Sequence, residues 1–265
     1  MTTKTKKRTT DHRDDLAAVA TMANQLSLTA IRDQLPTLVA RAEKEGLSYT
    51  DFVSEMLRHE CDTRRSRRLT RNLKRSGLPA VIESLDTFDF SVRPKLEARV
   101  VRELLNCRWI EEGGRNIICV GRPGRGKTRL LDALGEAACL RGYSVLKVNT
   151  AEMLEDLHAS GADGTFQRAF RRYEKVDALI LDEFGYAPID SAASQYLFRL
   201  VSARHQRRSI ALAANTGFAN WKSFFPSEAQ AVATVDRLID RATILRFSGK
   251  GFRVPQEILG AEDET

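Results

Sequence analysis

The stretch "GRPGRGKT", Gly121 to Thr128, constrains this chain more than any other part of it. It fits G-x-x-x-x-G-K-[ST], a pattern whose glycines let the backbone fold back until its N–H groups face phosphate oxygens. Its context agrees. The apolar run "NIICV" (116–120) leads straight into it as a strand, and a helical pattern follows Gly126. A phosphate held at that junction meets the positive end of the helix dipole. Gly121, Pro123, Gly124, Arg125, Gly126, Lys127, Thr128 and Arg129 are the expected cofactor-binding residues. Lys127 is placed to reach the β and γ phosphates of a nucleoside triphosphate, and Thr128 to ligate Mg²⁺.

The rest of the C-terminal two thirds repeats the strand–helix rhythm. "YSVLKV" (143–148), "ALILD" (178–182), "SIALAAN" (209–215) and "TILRF" (243–247) read as strands. Helical stretches lie near 151–158, 165–175, 191–206 and 228–240. Strands with nearly continuous apolar content belong to a parallel sheet covered on both faces. The expected fold class is α/β, with a five-stranded parallel sheet after a small all-helical N-terminal domain. Residues 1–15 read as a flexible basic arm, 16–79 as the helical domain, 80–95 as a linker, 96–258 as the nucleotide domain and 259–265 as an acidic tail. Within these, Gly46 separates two helices, and Thr50 with Asp51 caps the second. "SGLP" (76–79) is a stop, Phe88 and Phe90 anchor the linker, and a lead-in helix spans about 95–111.

"ALILDEF" supplies the second half of a site. A strand end at Asp182 suits the Mg²⁺ shell, directly or through water. Glu183 follows, and a carboxylate there can align and deprotonate a water. A kinase of small molecules has no use for such a base, because its acceptor is the substrate hydroxyl; Glu183 therefore argues for hydrolysis. Asn215 ends the next strand and can sense the γ-phosphate or orient the water.

Charge points to an anionic partner. The chain carries a formal net charge of +7, and residues 1–79 hold 16 Lys+Arg against 10 Asp+Glu. "RRSRRLTRNLKR" (64–75) contains no acid. At helical spacing Arg64, Arg67, Arg68, Arg71 and Arg75 share one face, while Leu69 and Leu73 point away. Such a face binds phosphates with little regard to sequence, so duplex DNA is the expected partner. Arg168, Arg171, Arg172 and Lys175 form a second cluster with the same expectation. No apolar run approaches the ~18–20 residues of a membrane helix, and no secretory signal opens the chain. The four cysteines lack metal-ligand spacing and read as reduced thiols of a cytoplasmic protein.

The phosphate loop, the "LDE" pair and the polar strand-end residue together resemble the AAA+ ATPases. "RRLTRNLKRSGLP", "LDTFDFS", "GYSVLKVNTAEMLEDL", "LILDEFGYAPID" and "DRLIDRATIL" are similar to the IstB family, helper ATPases of IstA/IstB-type insertion elements related to the DnaC helicase loaders. The resemblance runs over about residues 16–258. It implies ATP and Mg²⁺ as cofactors, a homo-oligomer with ATP at subunit interfaces, and an IstA-type transposase as partner; a DnaC-like helicase loader is the alternative. It also assigns Arg237 in "VDRLIDRA" as the arginine reaching a neighbour's nucleotide, with Arg241 its competitor. With the fifth strand expected at 243–247, the helical lid of most AAA+ proteins is not expected here. The family's loop is closer to "GPPGxGKTH", and its fourth strand ends nearer to "TSN" than to the "AAN" found here.

Overall fold

The computed structural model of the protein describes residues 12–249. The chain divides into two compact units, residues 1–70 and 71–265.

The first unit is helical. It contains helix α1 (His12–Gln25), helix α2 (Thr29–Glu45) and most of helix α3 (Tyr49–Arg75). Ser27, in a left-handed conformation at φ 57°, separates α1 from α2, a break the sequence pattern does not announce. Gly46 ends α2 as predicted, and its N–H donates back to the Ala42 carbonyl. The cap of α3 is Ser48, whose hydroxyl accepts the Asp51 N–H at 3.2 Å, so the Thr50–Asp51 cap is displaced by two residues. Leu28 cannot cap α2 with its own side chain. Buried Glu60 does so instead, accepting the N–H groups of Ala30 and Ile31 at 2.9 and 3.0 Å. The arm expected over 1–15 lies largely outside the described residues, and residues 12–15 already belong to α1. The acidic tail lies wholly outside them.

The division at residue 70 falls short of the expected 79 because the end of α3 bonds within the second unit. Asn72 donates to the carbonyls of Gly142 and Tyr143 at 3.3 and 3.0 Å. An irregular segment follows, with Phe88 buried and its ring 4.9 Å from that of Phe90. The single lead-in helix is in fact two, α4 (Ala98–Leu104) and α5 (Arg108–Glu111), broken where Cys107 takes φ 60°.

Five strands form the expected sheet: β1 (Ile117–Val120), β2 (Val145–Asn149), β3 (Ala178–Phe184), β4 (Ser209–Ala214) and β5 (Thr243–Arg246). They run in the order β2-β3-β4-β1-β5, and all pairs are parallel. The helices are α6 (Lys127–Leu140), α7 (Thr150–Ala162), α8 (Phe166–Glu174), α9 (Ser191–Arg204) and α10 (Glu228–Ile239). Helices α7, α8, α9 and α10 pack into one group, whereas α6 lies on β2, β3 and β4. Among the described residues β5 is the last element, so the expectation of a missing lid falls on residues outside them. β1 and β3 flank β4, so the ends of these three strands bring the phosphate loop, the two carboxylates and Asn215 together.

Candidate nucleotide-binding site

The loop between β1 and α6 is built as its chemistry demands. Gly126 caps α6 at φ 90°, and a Cβ there would stand 2.7 Å from the Phe88 ring. Only glycine allows both the turn and the close approach. Lys127 is the first residue of α6, with its ammonium donating to the carbonyls of Gly121 and Arg122. Burial pulls its pKa down to about 8, as expected for an ammonium held largely out of water without a carboxylate in contact. An arriving phosphate would supply the missing negative charge.

The loop arginines behave differently from one another. Arg122 is exposed. Arg125, expected among the cofactor-binding residues, turns its side chain inward: its guanidinium donates to the Phe247 carbonyl at 3.3 Å, and its own carbonyl accepts from Arg93 at 3.1 Å. Arg129 reaches the linker, donating to the Ser84 carbonyl and to Thr87 Oγ1, and pairing with Glu83 at 3.2 Å. The linker is thereby drawn over the loop. A cavity of about 440 Å³ lies between them, lined by Ile82 and Phe88 on one side and by Pro123 to Arg129, Asp182, Glu183 and Asn215 on the other. A larger and mainly apolar cavity of about 730 Å³ opens between α7 and the segment after β3, and Glu183 lines both cavities. The glycine-rich loop, Lys127 and Thr128 line the smaller one alone.

The end of β3 departs from a regular strand. Leu181 pairs with Leu212 and Phe184 with Ala214, so three steps on β3 match two on β4. Such a bulge re-aims a side chain. Glu183 takes φ 55° and is exposed between buried Leu181 and Phe184. Phe184 is pinned by Trp221 and Phe224, with ring centroids 4.8 and 5.2 Å away. Both come from a 3-10 segment, Phe218–Phe224, that has no strand or helix period to betray it.

Asp182 Oδ1 accepts from Thr128 Oγ1 at 3.3 Å and from the Glu183 N–H at 3.0 Å. Lys147 Nζ faces the other oxygen at 3.6 Å and bonds Asp132 at 2.5 Å. Burial holds the Asp132 carboxyl above its usual range despite that lysine. Glu183 Oε2 accepts from Asn149 Nδ2 at 2.6 Å. No cluster of three His, Cys, Asp or Glu side chains fit to hold a metal occurs among the described residues. One hydroxyl and one carboxylate beside a phosphate site suit Mg²⁺, which takes few protein ligands and completes its shell from phosphates and water.

Sequence reasoning thus places Lys127, Thr128, Asp182, Glu183 and Asn215 around one cavity. It missed Asn149, Lys147, Asp132 and Arg93. The one available signal was the polar pair in "VLKVN", an edge strand ending where an Asn-Thr helix cap begins. Arg237 is not brought to this chain's cavity. It folds back on α10, donating to the Ala233 carbonyl at 2.7 Å with its guanidinium 4.8 Å from the Phe198 ring. Arg241 is exposed after α10.

Among the basic residues, Arg64 and Arg67 are tied within the first unit. Arg64 binds Glu60 and the Ser27 carbonyl at 2.6 and 2.7 Å, and Arg67 donates to Thr29 Oγ1 at 2.5 Å. Arg68, Arg71 and Arg75 are exposed on α3. Arg168, Arg171, Arg172 and Lys175 are exposed on or just after α8. Arg172 also packs on Tyr173, 4.7 Å from its ring. Among the described residues, no helix is long and apolar enough to cross a membrane.

The model of the IstB-like ATP binding protein family matches residues 21–259. A protein of Sinorhizobium fredii, named an insertion sequence ATP-binding protein, is 34% identical over 240 residues, or 90% of this chain and 80% of that one. The insertion sequence IS21 ATP-binding protein of Pseudomonas aeruginosa is 32% identical over 236 residues, or 89% and 88%. Among solved structures, DnaI superposes with a TM-score of 0.51 at 20% identity, covering 64% of this chain and 90% of that one. Domain III of the Thermotoga maritima replication initiation protein DnaA gives 0.50 at 18% identity, covering 64% and 69%. These likenesses show an AAA+ P-loop fold.

Proposed function

The chain belongs to the IstB-like ATP binding protein family, and on that premise we propose that it hydrolyses ATP, assembles on duplex DNA and serves a partner transposase of the IstA type. The observation that carries hydrolysis is the bulge that lifts Glu183 out of the strand beside the Thr128–Asp182 pair. Loop N–H groups and the Lys127 ammonium bind the phosphates. Thr128 and Asp182 would hold Mg²⁺, which would neutralise phosphate charge there. Glu183 accepts a proton from the attacking water, and Asn215 orients that water. Arg237 acts on the nucleotide of an adjacent subunit, so ATP sits at the interface of a homo-oligomer.

Exposed Arg68, Arg71 and Arg75 on α3 support DNA binding through phosphates, with Arg168, Arg171 and Lys175 as a second contact. The insertion-sequence naming of the relatives supports transposition as the setting, with target-site selection, DNA remodelling and transposase recruitment as the tasks. The direct test is Lys127→Ala. It is expected to abolish saturable ATP binding and ATP-dependent assembly on DNA, measured by nucleotide titration and electron microscopy. Unchanged affinity with normal assembly would refute the reading.

A further inference from the structure

We propose that Lys147 is a positioning residue for Asp182, fixing the carboxylate that receives Mg²⁺; this rests on the reading of Thr128 and Asp182 as the metal-holding pair. Lys147 interrupts the otherwise apolar strand "VLKV" and is held at both its backbone and its side chain. β2 is an edge strand, paired with β3 on one side only. On its other side runs the segment that follows α3. The Lys147 N–H donates to the Ser76 carbonyl at 2.6 Å. Gly77, at φ 68°, lies so close that a Cβ there would stand 2.4 Å from the Lys147 carbonyl oxygen. Any larger residue would push this strap away from the strand.

From that fixed backbone the side chain, 15% exposed, crosses to α6 and β3. Its ammonium binds Asp132 Oδ1 at 2.5 Å and stands 3.6 Å from Asp182 Oδ2. Asp132 lies one helical turn beyond Thr128 on α6. The two oxygens of Asp182 are therefore addressed from two directions: Oδ1 by Thr128 and the Glu183 N–H, Oδ2 by Lys147. Alternation along β2 puts Lys147 and Asn149 on one face. In a regular strand Asp182 and Glu183 would point oppositely, but the bulge turns Glu183 so that Asn149 meets it while Lys147 meets Asp182. One strand thus orients both carboxylates. Partners of this kind, which orient a metal ligand without touching the metal, are typically worth ~10–100-fold in metal affinity.

The test is binding of a fluorescent ATP analogue to the full chain, titrated with Mg²⁺ and repeated in EDTA. Lys147→Met keeps length and loses charge. It is expected to raise the Mg²⁺ concentration for half-maximal binding by about tenfold or more, with metal-free affinity in EDTA unchanged. Asp132→Asn alone is expected to change the Mg²⁺ requirement by less than about threefold, because Lys147 still faces Asp182. Should Lys147→Met not fold with Asp132 left buried and unpaired, the double variant Asp132→Asn/Lys147→Met removes both charges and is expected to show the same Mg²⁺ defect. An unchanged Mg²⁺ requirement in these lysine variants overturns the proposal. So does a full defect from Asp132→Asn alone, which would assign the effect to the ion pair. If the wild type itself binds the analogue independently of Mg²⁺, the metal reading of Thr128 and Asp182 fails first, a result distinct from an unaltered variant beside a Mg²⁺-dependent wild type.

Discussion

Asn149 Nδ2 donates to Glu183 Oε2 at 2.6 Å while its own Oδ1 accepts the Ala151 N–H at 2.9 Å. One side chain therefore both caps α7 and restrains the carboxylate assigned as the base. The register explains the meeting, since Asn149 pairs with Asp182, the residue before the base.

Replacing Asn149 with Ala removes both bonds. The lost cap should cost about 1 kcal/mol of stability. The freed carboxylate should slow turnover by about 10–100-fold, the scale of a small misplacement of a catalytic group. ATP affinity should be unchanged, because Asn149 does not line the cavity formed by the loop. Thermal melting, nucleotide titration and phosphate release separate the three effects. Normal turnover in Asn149→Ala would mean that the hydrogen bond serves the helix alone.

For DNA binding, Arg68 and Arg71 are the cations to change, since Arg64 and Arg67 are already engaged in the first unit. The double change to Ala should weaken binding to all duplexes alike. The slope of log K against log[salt] should flatten by roughly one to two units if each arginine meets one phosphate. Affinity measured at several salt concentrations decides this. An unaltered slope would assign these arginines to contacts between subunits.

Arg237 rests on Phe198 and the Ala233 carbonyl, away from its own chain's cavity. Its proposed role is on a neighbour's nucleotide rather than on its own. Arg237→Ala should spare ATP binding and cut hydrolysis by ~10³-fold, the lower end for a finger supplied in trans. Mixing it with Lys127→Ala should restore part of the activity. If Arg241→Ala is the damaging change and Arg237→Ala is silent, the finger lies one turn further along.

What the sequence made legible were features with a period or a fixed spacing. Four consecutive buried residues in β1 and six in β4 leave an apolar run that is hard to misread. The glycine spacing of the loop fixes Lys127 and Thr128. Left-handed turns at Ser27 and Cys107 leave no such trace, because neither residue is glycine or asparagine. The burial of Arg125 depends on a carbonyl 122 residues away, at Phe247. Lys147 and Asn149 gain their roles only from the pairing of β2 with β3 and from a bulge that no local pattern encodes.

The central claim is that this phosphate loop serves hydrolysis, with Glu183 as the base. Glu183→Gln keeps size and hydrogen bonding and loses the basic carboxylate. It should bind ATP as the wild type does and still assemble on DNA, with complexes that last longer. Phosphate release should fall by about 10²–10⁴-fold, the range for losing a positioned base. The deciding measurement is steady-state phosphate release by Glu183→Gln beside its ATP affinity. Slow release with unchanged affinity is the predicted result; near-normal release would contradict the account and return the site to a phosphotransferase whose acceptor is not water.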